Sequence, residues 1–203
     1  HIVMDTRELE TALLAMAMEG DIAPFLELFH TRVVKALGLK DLRRFDEKAL
    51  KLMMLAFISL SRIFYPLSEK EMAQGYCDLF LGVSPIYPGA KCAWLLELKY
   101  LPAGAKSAQI EKAFAQAAEQ VARYAGDDRL VPLLTRGQVL KAGSLVFVGA
   151  KQALFRAWPP AKFVVRTVQL QVRGVISAKG AREVIAEWQR RFIAELETLN
   201  AEN

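Results

Sequence analysis

Two apolar segments joined by a turn-rich connector constrain the fold of this chain most strongly. Residues 75–81 read Gly-Tyr-Cys-Asp-Leu-Phe-Leu, and residues 92–100 read Cys-Ala-Trp-Leu-Leu-Glu-Leu-Lys-Tyr. The connector, residues 82–90, contains two prolines and two glycines, which are typical of turns. The second segment is apolar on both faces, as expected of a strand in the middle of a sheet. The sequence therefore predicts two strands that pair as a long hairpin.

Three charged side chains interrupt these apolar strands. Residues two apart on a strand share a face, so Glu97 and Lys99 should point the same way, and Asp78 can reach that face across the hairpin. A carboxylate in an apolar setting is costly unless it is paired or metal-bound. Two adjacent carboxylates also raise each other's pKa unless a cation lies between them. With Lys99, the pattern suits a site for Mg²⁺-dependent attack on a phosphodiester. The alternative is an exposed strand with a weak ion pair, of which a Glu-x-Lys triplet is also typical.

An amphipathic helix is predicted after this hairpin, over residues 107–125. Its apolar side carries Ile110, Phe114, Ala117 and Val121. Gln116, Gln120 and Tyr124 lie four residues apart on an adjoining face. The helix can therefore present Gln120 towards the sheet.

The order Asp, Glu-x-Lys, then a helical Gln followed by Tyr resembles the PD-(D/E)XK nuclease superfamily. The segments that carry the resemblance are Gly20-Asp-Ile-Ala-Pro-Phe25, Arg44-Phe-Asp-Glu-Lys48, Ser68-Glu-Lys-Glu71, Gly75-Tyr-Cys-Asp78, Leu96-Glu-Leu-Lys99 and Gln120-Val-Ala-Arg-Tyr124. Together they look like the nuclease-type domain at the C-terminus of AAA-ATPase-like bacterial and archaeal proteins, over about residues 20–150. One departure is Cys77, which stands where the superfamily's name has Pro.

The resemblance implies a role for each residue of the motif. Asp78 and Glu97, with the main-chain carbonyl of Leu98, would hold Mg²⁺ or Mn²⁺ through oxygen ligands. Lys99 would position the attacking water or stabilise the transition state. Gln120 would orient that water or Lys99, with Tyr124 in support.

Two further acids have alternative interpretations. Glu47 lies in the first turn of a helix predicted over residues 47–65, capped by Asp46 and ended by Pro66. It either interacts with the helix dipole or corresponds to the first-helix Glu that many superfamily members aim at the metal. Glu71 follows Glu69 at the predicted start of the first strand and is either an outward-facing charge or a peripheral site residue.

A second indication of nucleic acid is an acid-free stretch between Asp128 and Glu183 that holds ten Lys and Arg residues. Such a stretch is typical of a surface that binds polyanions, here through Arg166 and Arg173. The alternative is that these cations are scattered over the surface and never converge.

Length and composition favour one α/β domain of ordinary size. The 203 residues carry a net charge of +5, with two cysteines and two histidines, too few for a structural zinc site. No Gly-x-x-x-x-Gly-Lys loop, bilayer-spanning run or signal-peptide pattern occurs, so we expect a cytoplasmic protein that is not itself an ATPase. Cys77 and Cys92 could face each other across the hairpin, but two thiols suit a reducing compartment better.

The sequence thus predicts a central mixed sheet flanked by helices, in a restriction-endonuclease-like fold. A helical or linker segment would occupy residues 1–40, the nuclease core residues 41–160, and a strand with a final amphipathic helix residues 161–203. The leading function is Mg²⁺-dependent cleavage of nucleic acid, with DNA as the expected substrate. The alternatives are a nucleic-acid-binding module without catalysis and a structural domain that serves an AAA-type ATPase. The final helix could form a homodimer contact.

Overall fold

The computed structural model describes residues 6–37, 46–87, 89–134 and 137–159. The chain divides into two compact units, His1–Ala161 and Lys162–Asn203, and all described residues belong to the first unit. The strand and helix predicted after residue 161 therefore lie outside the described residues, as do Arg166 and Arg173. The three predicted domain boundaries stay predictions.

Five strands form one mixed sheet in the order β1-β2-β3-β4-β5. The strands are β1 (Phe64–Met72), β2 (Gly75–Val83), β3 (Cys92–Leu101), β4 (Val139–Val148) and β5 (Gln152–Trp158). Neighbouring strands are antiparallel except for β3 and β4, which run parallel. The predicted β2–β3 hairpin, the central place of β3 and the mixed α/β sheet are confirmed.

Helices cover both faces of this sheet. Helix α4 (Ser107–Ala125) connects β3 to the parallel strand β4 and packs Phe114 against Val146 and Val148. Side chains alternate along a strand, so Phe147 points to the other face, where its ring meets Phe29 edge-on at a centroid distance of 6.0 Å. Phe29 belongs to α2 (Ala23–Arg32). The sheet is therefore the middle layer of the described unit.

The N-terminal segment packs into the same hydrophobic core as the sheet. It consists of α1 (Thr6–Leu14), a π-helical turn (Ala15–Glu19), α2 and a 3-10 turn (Val34–Ala36). The indole N–H of Trp94 in β3 donates to the main-chain oxygen of Met16 at 3.0 Å. This contact ties the π-helical turn to the central strand.

Helix α3 (Glu47–Ser59) begins where the sequence predicted, with the Asp46 carboxylate accepting from the N–H of Ala49 at 2.8 Å. Its predicted end at Tyr65 is wrong, because the helix ends at Ser59 and Phe64 already opens β1. An apolar run of this kind does not distinguish helix from strand. Pro66 is tolerated inside β1 because β1 is an edge strand, where one row of main-chain groups has no partner strand.

Two other expectations can be compared with the described residues. Cys77 and Cys92 are both buried and free, so they form no disulfide. Among the described helices, none has the length and apolar character needed to cross a membrane.

Candidate active site

Strands β2 and β3 stop pairing at the two acidic residues. Their register runs from Leu81↔Trp94 to Leu79↔Leu96, and the next residues along are Asp78 and Glu97. Beyond this point, hydrogen bonds to the two acidic side chains replace the main-chain hydrogen bonds between the strands. The main-chain N–H of Asp78 donates to Glu97 Oε1 at 3.1 Å, and the N–H of Leu98 donates to Asp78 Oδ2 at 3.0 Å. Each carboxylate is thus fixed by the main chain of the opposite strand, which brings both to one point.

Glu97 is buried with part of its carboxylate unsatisfied. Only 1% of the residue is exposed, and Oε2 has no hydrogen-bond partner among the described residues. Burial raises the pKa of Glu97 to about 8; the charge of Asp78 and the hydrogen bond that a protonated Glu97 shares with Asp78 add to this effect. The N–H of Asp78 and the charge of Lys99 oppose it. A buried carboxylate oxygen without a hydrogen bond is unfavourable, so a bound proton or cation would stabilise this site.

The surroundings of Glu97 are electronegative. Burial, followed by the charge of Glu97, raises the pKa of the Cys77 thiol to about 12. Burial and the charge of Glu97 also raise the pKa of the Tyr124 hydroxyl, which comes from α4. Tyr124 can approach β2 closely because residue 75 is Gly, and a Cβ there would lie 2.9 Å from the tyrosine oxygen. The structure therefore brings Tyr124 to the edge of the site.

Lys99 and Glu47 form an ion pair beside the carboxylates. Lys99 Nζ lies 3.4 Å from Glu47 Oε1, with only 19% of the lysine side chain exposed. Because Asp46 fixes the first turn of α3, Glu47 is presented towards β3. Glu47 thus lies beside the candidate site through its ion pair with Lys99, and a role of Glu47 at the metal stays a prediction.

Lys51 was missed by sequence reasoning. Its ammonium lies 3.0 Å from Glu69 Oε1 and 3.5 Å from Asp78 Oδ1, and only 9% of its side chain is exposed. Burial alone would lower the pKa of Lys51, but the hydrogen bond to Glu69 and the charges of Asp78 and Glu69 outweigh it, so the pKa is raised. Lys51 is one helical turn beyond Glu47, and this spacing was the available signal.

Two predicted site residues, Glu71 and Gln120, make no hydrogen bond or ion pair with Asp78 or Glu97 within the described part of the chain. Glu71 is exposed and pairs with Arg129 at 3.3 Å, whereas its neighbour Glu69 makes the contact with Lys51. Glu69 has a left-handed backbone, with φ of 50°, so the simple alternation that grouped Glu69 with Glu71 does not hold. Gln120 is half-buried on α4, and its side chain makes no hydrogen bond within the described part of the chain.

The described cations of the acid-free stretch are partly neutralised in space. Arg129 pairs with Glu71, and Arg156 pairs with Glu111 while lying 4.0 Å over the Phe114 ring. Both acids precede the stretch in sequence, so the absence of acids along the chain does not carry over to the fold. These two arginines are therefore weaker candidates for phosphate contacts.

The residues present fit a divalent cation of the kind that retains water. Asp78 and Glu97 offer carboxylate oxygens, and Glu97 Oε2 is the orphan that a cation would satisfy. No cluster of three Asp, Glu, His or Cys side chains suited to a metal occurs among the described residues. Mg²⁺ is commonly held by one or two carboxylates with waters and substrate phosphates completing its shell. Two carboxylates and a main-chain carbonyl are enough for that type of site.

Comparison of the sequence with family models identifies the class of protein to which this fold and this pair of acidic strands belong. The PD-(D/E)XK nuclease superfamily matches residues 45–152, just over half of the chain. This protein belongs to the PD-(D/E)XK nuclease superfamily, whose members generally cleave nucleic acids. A comparison with curated proteins found no match. The matched segment contains α3, strands β1 to β4 and α4, and it ends at Gln152, the first residue of β5.

Proposed function

We propose that this protein is a divalent-metal-dependent nuclease that hydrolyses phosphodiester bonds of DNA. The observation that carries the proposal is the buried Glu97 Oε2, which has no hydrogen-bond partner among the described residues and lies beside the Asp78 carboxylate. A purely structural carboxylate is normally satisfied by donors. In the described part of the chain, Glu97 instead keeps one oxygen without a donor next to the Asp78 carboxylate, an arrangement that a divalent cation would stabilise.

The metal would be held by Asp78, Glu97 and the main-chain carbonyl of Leu98, with Mg²⁺ or Mn²⁺ as the expected ion. When bound, such an ion lowers the pKa of a water molecule and neutralises charge on the phosphate. The hydrogen bonds from the N–H groups of Asp78 and Leu98 keep the carboxylates aligned before substrate arrives. This preorganisation avoids reorganisation during the reaction.

Lys99 would donate a hydrogen bond to the attacking water or to a phosphate oxygen. Glu47 holds the ammonium in place at 3.4 Å in the absence of substrate, and the low exposure of Lys99 strengthens its electrostatic effect. Gln120 would reorient from α4 to support this water, and Tyr124 would line the site. Both are proposals that rest on the family motif and on the position of α4.

Other features of the cellular setting are also proposals. We expect nucleic-acid contacts from Arg166 and Arg173, a cytoplasmic location, and association with an AAA-type ATPase. A homodimer contact through the amphipathic residues 181–199 is expected as well. They rest on the motif resemblance and on the sequence pattern.

The test is cleavage of labelled DNA and RNA by the purified protein, with Mg²⁺ or Mn²⁺ supplied and then removed by EDTA. Asp78→Asn should abolish divalent-dependent cleavage, whereas Asp128→Asn at an exposed turn should retain it. Cleavage of RNA but not DNA would correct the substrate. DNA binding without cleavage in the parent would favour the alternative of a catalytically silent binding module.

A further inference from the structure

A buried lysine contacts a proposed metal ligand and has no part in the chemistry described above. The Lys51 ammonium lies between two carboxylates, closer to Glu69 at 3.0 Å than to Asp78 at 3.5 Å. Asp78 Oδ2 accepts from the Leu98 N–H, so Oδ1 is the oxygen that Lys51 contacts. In the absence of metal, each oxygen of Asp78 therefore already faces one donor.

Glu69, the nearer carboxylate partner of Lys51, has an uncommon backbone conformation. Glu69 is the one non-glycine residue with positive φ in the described part of the chain. The flanking pairs Ser68↔Leu79 and Lys70↔Cys77 place Glu69 opposite Asp78 in the β1–β2 register. Its side chain is 65% exposed, in contrast to 17% for Asp78. A left-handed residue inside a strand persists only where the surroundings favour it, and here it accompanies the contact with Lys51.

We propose that Lys51 is an internal counter-ion of Asp78 that a divalent cation displaces towards Glu69, so that the Lys51–Glu69 pair sets the affinity of the site for metal. This inference rests on the proposed function. A carboxylate oxygen has lone pairs for more than one partner, but an ammonium and a divalent cation on the same carboxylate repel each other. Glu69 is solvent-accessible and already the nearer partner, so it can keep the lysine when Asp78 turns to the metal.

Lys51 is thus a positioning residue. The proposal predicts that substituting Lys51 and substituting Glu69 change the affinity for Mn²⁺ in opposite directions. Lys51→Met removes the competing positive charge and should tighten binding of Mn²⁺ alone, by about tenfold for a charge at this range. Glu69→Gln leaves Asp78 as the one carboxylate partner of Lys51 among the described residues and should weaken binding of Mn²⁺ by a similar factor. A merely structural role predicts a different pattern, in which both substitutions loosen the site and both weaken binding.

Matched controls separate this local effect from a change in overall charge. Lys48→Met removes the same charge from an exposed position on α3, and Glu8→Gln removes an exposed acid that pairs with Arg32 on the N-terminal helices. Both should leave Mn²⁺ affinity within about twofold of the parent, since exposed charges are screened by solvent. Lys51→Arg keeps the charge and should also keep affinity near the parental value.

The experiment is calorimetric titration of Mn²⁺ into the whole protein at one fixed pH and salt concentration, without nucleic acid. Tighter binding by Lys51→Met together with weaker binding by Glu69→Gln supports the proposal. Weaker binding by both, or no change in either, overturns it while leaving the metal site intact. If the parent itself binds no Mn²⁺, the proposed function fails and this inference fails with it. If Lys51→Met does not fold, Lys51→Gln takes its place, and Mn²⁺ binding by Lys51→Gln that is no tighter than binding by the parent overturns the proposal.

Discussion

The carboxylates of Asp78 and Glu97 each accept a hydrogen bond from the main chain of the strand that carries the other. The N–H of Asp78 donates to Glu97 Oε1, and the N–H that follows Glu97 donates to Asp78 Oδ2. The two carboxylates thereby take the place of ladder hydrogen bonds where β2 and β3 separate. The same separation that ends the hairpin pairing leaves two carboxyl groups fixed side by side.

The first prediction concerns stability and pH in the metal-free protein. Folding raises the pKa of Glu97 from 4.5 to about 8, so the folded state binds a proton that the unfolded state releases. The resulting stabilisation is complete below the ordinary pKa and is lost as pH rises through the folded value. Glu97→Gln cannot lose that proton, and its amide can still donate to Asp78. We expect its melting temperature to exceed that of the parent by several degrees at pH 8.5.

Thermal melts of the two proteins from pH 4.5 to pH 9, with EDTA present, check this expectation for the Glu97 carboxyl. The melting temperatures should converge at the acid end, where the parent is protonated too. A difference between parent and variant that does not depend on pH would show that Glu97 does not titrate over this range.

The second prediction concerns the cap that positions Glu47. Asp46→Ala removes the acceptor for the Ala49 N–H and should lower the free energy of unfolding by about 1 kcal/mol. Asp46→Asn keeps an acceptor and should cost clearly less. Denaturant unfolding of both variants measures the difference. Equal losses in the two variants would mean that the side-chain cap does not stabilise α3.

The sequence predicts the strands of this site but not all of the contacts within it. The strands around Asp78 and Glu97 are predictable because apolar runs of strand length are bounded by turn residues, and Tyr124 is placed by helical spacing. Helical spacing puts Lys51 one turn beyond Glu47 on the same face, but it does not show that this lysine is buried against two acids. The left-handed Glu69 was equally hidden, since strand alternation assumes an extended backbone.

The acid-free basic stretch also shows the difference between a sequence pattern and the contacts formed in the fold. Sequence shows that no acid lies between residues 128 and 183, but it does not show that Glu71 and Glu111 fold back onto Arg129 and Arg156. The first ion pair joins β1 to the 3-10 helix Asp128–Leu133, and the second joins α4 to β5, so both depend on the tertiary fold. A count of charges along the chain therefore overestimates the free positive surface.

The third prediction uses this pairing. If Arg166 and Arg173 contact phosphates, each should contribute about 0.9 to the slope of log affinity for DNA against log salt. Reversing both charges should flatten the slope, and reversing the acid-paired Arg129 and Arg156 should flatten it less. Fluorescence anisotropy with labelled DNA across a range of salt concentrations measures both slopes. A slope that the first pair leaves unchanged would assign these arginines to ordinary solvation.

The most direct test of the central claim separates metal binding from chemistry by substituting Lys99. Lys99→Ala leaves both carboxylates in place, so Mn²⁺ should still bind, whereas the single-turnover rate of DNA cleavage should fall by about 10²-fold or more. DNA affinity should stay close to the parental value, because phosphate contacts elsewhere dominate it. The account predicts a bound metal and a slow reaction in the same variant. Divalent-dependent cleavage by Lys99→Ala at the parental rate would contradict it.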